Sequence, residues 1–92
     1  MPTILRIGRY VIYFWTNENN PREPIHVHIA LGRARPHATK LWISSTGQII
    51  ICNNNSLIPE KILRKIIRAL ENRVDEIIGA WFDYFGEVKF HC

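Results

Sequence analysis

Residues 59–85 read PEKILRKIIRALENRVDEIIGAWFDYF, and the spacing of their apolar side chains decides the fold. Ile62, Ile66, Leu70, Val74, Ile77, Trp81 and Phe85 recur at steps of three or four, flanked by Leu63, Ile67, Ile78 and Phe82. That is the 3.6-residue period of an amphipathic helix with a broad apolar stripe. Pro59 suits a first helical turn, where no amide hydrogen is required, and Gly86 supplies a stop. The stripe stays in phase across Glu71-Asn72-Arg73. The spacing therefore predicts one helix of about 27 residues from Pro59 to Phe85, with Asn72 the place for a kink.

Upstream of Ser56 the period is 2. Thr3–Ile7 and Tyr10–Trp15 are β-rich runs split by Gly8-Arg9, a hairpin signal. Residues 16–24 form a polar loop with Pro21 and Pro24, which excludes regular structure there. Ile25–Leu31 alternates as a third strand, Gly32–Pro36 turns the chain, and His37–Ile43 returns as a fourth. Ser44–Gly47 turns again into a short fifth strand, Gln48–Cys52. Asn53-Asn54-Asn55 is the only low-complexity tract. Phe90-His91-Cys92 lies beyond every predicted element.

Two hairpins and a helix that needs a sheet to cover predict a two-layer α+β domain. It divides into a β half (1–56), a helix (57–86) and a tail (87–92), all one domain. No helix interrupts the strands, which excludes parallel βαβ wrapping.

Ninety-two residues, 47% of them apolar, suffice for one core. The longest apolar run, Tyr10–Trp15, is far short of the roughly 20 residues a bilayer requires. The first residues lack the pattern of a signal peptide, and Cys52 and Cys92 form no CxxC pair. These features fit a cytoplasmic protein with free thiols. Residues 1–56 carry Arg6, Arg9, Arg22, Arg33, Arg35 and Lys40 against Glu18 and Glu23, whereas residues 57–92 carry six charges of each sign. The whole net charge of +4 thus sits in the β half, which points to an anionic partner, nucleic acid or acidic protein.

Strand alternation sends Ile25, Val27, Ile29, Leu41, Ile43, Leu5, Ile7, Ile12 and Phe14 to the core face. The outer face then carries Arg6, Tyr13, Trp15, His26, His28, Lys40 and Trp42. Cations interleaved with flat rings suit phosphates and bases, or a protein partner's pockets. His26 and His28, two apart on a strand, project side by side. One reading makes either imidazole a general acid or base in phosphodiester cleavage, with Lys40 or Arg35 on the phosphate. Another gives the pair a zinc ion, with Glu23, Glu18 or His37 as third ligand. The chain needs no cofactor under the first reading.

Lys61, Arg64, Lys65 and Arg68 share one helix face opposite the apolar stripe. On a single long helix they crowd the N-terminal half, where the helix dipole disfavours cations, so a phosphate- or acid-binding stripe becomes an alternative to a solvated face. Arg6, Tyr13, Trp15, Arg33, Arg35, Lys40, Trp42, Arg64 and Arg68 are accordingly the candidate partner-binding residues.

Met1-Pro2-Thr3-Ile4, Glu23-Pro24-Ile25-His26-Val27-His28, Lys40-Leu41-Trp42, and the helix with Glu71-Asn72-Arg73, Ala80-Trp81 and Phe85-Gly86 together resemble a bacterial family catalogued as domain of unknown function 4160. Ile25 stands where the family commonly has a second proline, and Gly32–Pro36 is longer and more basic than its usual turn. The resemblance implies a component of a toxin–antitoxin-type module, encoded beside a small cognate protein that it binds. It assigns no catalytic residue. Three functions follow as expectations: a component that binds its partner and RNA or DNA, a small ribonuclease toxin, or a pure protein-binding inhibitor or antitoxin. A second copy of the chain is a further potential partner. An enzyme should hold the histidines exposed in a concave basic pocket; a binder should present a flat aromatic patch.

Overall fold

Gly8, at φ 57, takes a left-handed turn that folds β1 (Thr3–Ile7) back on β2 (Tyr10–Tyr13). The chain continues through β3 (His26–Leu31), β4 (Thr39–Ile43) and β5 (Ile49–Asn53), then helices α1 (Glu60–Glu71) and α2 (Val74–Phe85). The computed structural model describes residues 3–15 and 23–92. The strands form one antiparallel sheet in chain order, β1 to β5, so each pairs only with its sequence neighbours. Glu18, Arg22 and Pro21, which entered the sequence reading, lie outside the described residues.

The helices cover one face. Ile12, Phe14, Ile25, Val27, Ile29, Leu41 and Ile43 of the sheet region enclose a core with Leu63, Ile66 and Leu70 of α1 and Val74, Ile77 and Trp81 of α2. The strand alternation is as expected. Burying branched and aromatic side chains of this size stabilises a fold by about 1.5–3 kcal/mol each.

The single long helix does not form. A helix of about 27 residues would run about 40 Å, whereas a strand of six residues spans about 20 Å, so half of it would overhang the sheet. The break falls at Asn72 and Arg73. The Arg73 amide bonds back three residues to Leu70 (2.9 Å), and Arg73 leaves helical geometry at φ −126, ψ 18. Leu70 and Val74 both reach the core across the break, which is why the apolar stripe runs through it unbroken. The break also changes the charge argument. Arg68 sits in the last turn of α1, and Asp75 and Glu76 sit in the first turn of α2. Both placements favour their helix dipoles, so dipole strain gives no reason to assign Arg68 to a ligand. Pro59 is the residue capping α1 rather than one inside its first turn.

The segment after Gly86 is a further departure from expectation. Gly86 ends α2 in the left-handed region (φ 80). The Ile25 amide then donates to the Lys89 carbonyl (2.8 Å), and the Ser45 amide to the Cys92 carbonyl (2.9 Å). The tail thus crosses the end of the sheet and lays His91 on Trp42, ring centroids 4.8 Å apart and nearly parallel. Among the described residues, no helix is long and apolar enough to cross a membrane.

Candidate nucleic-acid cleft on the open sheet face

Cross-strand register puts Tyr13 opposite His28, His28 opposite Lys40, and Lys40 opposite Asn53. His26 and Trp42 pair in the next row. Residues distant in sequence therefore form one patch on the outer face, with His26 at its margin reaching Trp81 of α2, and the expected grouping of Tyr13, His26, His28, Lys40 and Trp42 holds. Their exposure does not. Tyr13 is fully buried, and His26 and His28 are 6% and 7% exposed.

The cover is the loop after β3. The Tyr13 hydroxyl donates to the Arg35 carbonyl (2.5 Å) and accepts from the Arg35 amide (2.8 Å). Two bonds from one hydroxyl clamp the loop over a small second cluster of Val11, Tyr13, Ala30 and Ala38. Burial raises the Tyr13 pKa, opposed by its Arg35 bond. Tyr13 is therefore no stacking platform for a base, despite its place on the face. Tyr13→Phe leaves both Arg35 backbone groups without this partner and should destabilise the fold by about 1–3 kcal/mol. Urea unfolding measures it, and a variant as stable as the parent would mean the loop is held elsewhere.

The histidines are packed and oriented. His28 stacks on Tyr13 (centroids 5.7 Å) and meets His26 edge-on (5.1 Å). His26 also touches Trp42 and, from α2, Trp81. His26 Nδ1 lies 2.8 Å from the Pro24 carbonyl and His28 Nδ1 3.4 Å from the Ala38 carbonyl. A carbonyl only accepts, so each Nδ1 carries the proton and donates it. Burial, reinforced by neighbouring His26, lowers the His28 pKa from 6.5 to about 4. At neutral pH His28 is an uncharged imidazole too weakly basic to exchange protons efficiently.

Lys40 is also engaged. Its ammonium pairs with Glu23 and lies 4.3 Å from the Trp42 ring centroid, a cation–π contact. Burial raises the Glu23 pKa, but the Lys40 hydrogen bond and the surrounding positive charge outweigh it and hold the carboxyl below its ordinary value. For zinc, Glu23 would have to leave Lys40, and Glu18 lies outside the described residues. No cluster of three metal-ligating side chains occurs among the described residues.

What remains open is a cleft of about 190 Å³ lined by Trp15, Glu23, His26, His28, His37, Lys40, Asn53 and Asn55. A hollow of about 400 Å³ formed by Arg35, His37, Asn55 and Ser56 adjoins it through shared residues. Arg35, His37 and Asn55 are exposed. The Trp15 indole N–H is buried without a hydrogen-bond partner among the described residues. Arg6 and Arg33 are exposed too, Arg6 on this face opposite Val11. Arg64 and Arg68 are not part of the site. They stand on the solvent side of α1, beyond the core, so the candidate binding residues divide between two surfaces.

Asn53 and Asn55 escaped the sequence reading. The ladder skips Cys52, pairing Leu41 with Ile51 but Lys40 with Asn53. This bulge turns Asn53 onto the open face, where plain alternation would not place it. Asn54, between them, accepts from Thr39 Oγ1 (2.7 Å) and bonds to both backbone groups of Ile58, fixing the link to α1. Three consecutive asparagines at a strand end were the available signal.

Comparison with curated proteins and with solved structures found no match. The model of the family described as Domain of unknown function (DUF4160) matches residues 10–82, which take in β2 to β5, α1 and most of α2, and the chain belongs to that family.

Proposed function

We propose that the chain is a component of a toxin–antitoxin-type module that binds single-stranded nucleic acid in the cleft on the open sheet face and a cognate protein elsewhere. The observation that carries the reading is the chemistry of the cleft. Arg35 and His37 offer cationic or polar contacts to phosphate, and the Asn53 and Asn55 amides can bond base edges beside the half-buried Trp15 ring. The neutral His28 and the paired Lys40 favour recognition over proton transfer.

Binding of an RNA or DNA oligonucleotide should weaken with salt by about 0.7 log units per phosphate contact for each decade of concentration. Replacing Arg33 and Arg35 with Gln should reduce that slope. Asn55→Ala should instead weaken binding by about 1–3 kcal/mol with the slope unchanged. If no nucleic acid binds at low salt while an acidic, neighbour-encoded protein binds tightly, the chain is a protein-binding inhibitor or antitoxin.

A ribonuclease toxin is the second reading. His37, an exposed imidazole in the same cleft as His26 and His28, favours it. Cleavage of RNA that is lost in His37→Ala, with oligonucleotide binding retained, would select that reading.

A further inference from the structure

On the helix-covered side of the sheet, the β1–β2 turn and the start of α1 leave an open groove of about 460 Å³. Its floor is apolar: Ile7, Tyr10, Leu31 and Ile62 line it. Leu31 is 43% exposed although it ends a strand whose other side chains are buried. Arg9 and Lys65 stand at the rim. Lys65 also belongs to an adjoining hollow of about 400 Å³ formed with Lys61, Arg64 and Arg68. Of these helix cations, Arg64 pairs with Glu60, while Lys61, Lys65 and Arg68 have no ion pair among the described residues.

We propose that this groove docks an acidic amphipathic segment of the cognate protein partner, apolar side chains on Leu31 and Ile62 and carboxylates against Arg9, Lys65 and the basic face of α1. The inference rests on the reading that such a partner exists, and it supplies where that partner binds and what chemistry it carries. The arrangement of an apolar floor beside a one-signed rim fits a helix that presents apolar residues at i, i+3, i+4 and i+7 with acids between them. A nucleic acid would find cations here but only the half-buried Tyr10 ring for stacking. The apolar floor therefore selects an acidic protein segment over a polynucleotide, and charge complementarity excludes a strongly basic segment, which the same cations repel.

The probe is a synthetic peptide with leucines at i, i+3, i+4 and i+7 and glutamates at most other positions, titrated into the full chain while backbone amide shifts are recorded. Shifts should concentrate at Arg9, Leu31, Ile62 and Lys65. Leu31→Asp, at an exposed strand end, and Lys65→Glu, on the exposed helix face, should each weaken the peptide by about tenfold or more, the scale of a central contact in an interface. A scrambled peptide and polyglutamate should bind at least about tenfold more weakly. Equal binding of polyglutamate, unchanged affinity in Leu31→Asp, or shifts confined to the open sheet face would overturn the proposal. So would displacement of the peptide by a single-stranded oligonucleotide. Self-association of the free chain that Leu31→Asp abolishes would assign the groove to a second copy instead. Oligonucleotide binding in the sheet cleft is measured on the same variants. If it persists while the peptide fails to bind, the groove proposal alone is lost. If the peptide binds and oligonucleotides do not, the nucleic-acid reading alone is lost.

Discussion

Replacing Ile66 with alanine should destabilise the protein by about 2–5 kcal/mol, the range for deleting a large aliphatic side chain from a close-packed core. Ile66 is fully buried, in the middle of α1, where the helix meets the sheet's inner face. Truncation removes the apolar contacts of three carbons and leaves a space that short, sheet-anchored elements cannot collapse around. Native stabilities are only about 5–15 kcal/mol, so this loss is a large fraction of the total. The urea midpoint should fall with the slope unchanged, since the surface exposed on unfolding is nearly the same. Ile67, partly buried at the margin of the same core, is the control, and its alanine variant should lose distinctly less. A loss below about 1 kcal/mol at Ile66 would reject the packing of α1 on the sheet.

Acid should destabilise the protein through His28 at a higher pH than through Glu23. The folded state holds this imidazole at a pKa of about 4, against 6.5 for an ordinary histidine. Above 6.5 neither folded nor unfolded chain protonates it, and it contributes nothing to the pH dependence. Between 6.5 and about 4 the unfolded chain takes up a proton that the folded chain refuses, so stability falls as pH falls. Below about 4 the loss levels off at no more than about 3 kcal/mol, less whatever screening the mouth of the cleft provides. Glu23 acts lower down. Its pKa is depressed by Lys40, so its stabilising effect is present above 4.5 and disappears as pH drops through the folded value. Denaturant midpoints recorded from neutral pH down to about 4 should therefore decline in the parent and be flatter in His28→Gln. A parent profile flat over that interval would mean His28 protonates freely in the fold.

Local pattern was legible and closure was not. The β half and the helical half separate where the apolar period changes, and the strand faces follow from alternation because each strand pairs with its sequence neighbour. Tyr13, His26, His28, Lys40 and Trp42 were correctly grouped for the same reason. That three of them are buried depends on contacts with no local signature: Arg35 bonding back to Tyr13, and Trp81 of α2 meeting His26. The helix break was hidden because Leu70 and Val74 keep the stripe in phase across it. A different signal was present, since the order Arg68, Asp75, Glu76 is that of one helix ending and another beginning. Asn53 was out of reach of alternation because a bulge changes which way its side chain points.

The strictly sequential strand order also fixes a timetable. Each strand finds its neighbour within a short stretch of chain, so the meander can pair while synthesis continues. Its inner face, with Ile12, Val27, Ile29, Leu41 and Ile43, is synthesised ahead of every helical residue that shields it. At about 5–20 residues per second the helices follow only seconds later. A shortened product ending near residue 56 carries those apolar side chains with no helix to cover them. Premature termination within this chain therefore yields an aggregation hazard rather than a harmless fragment.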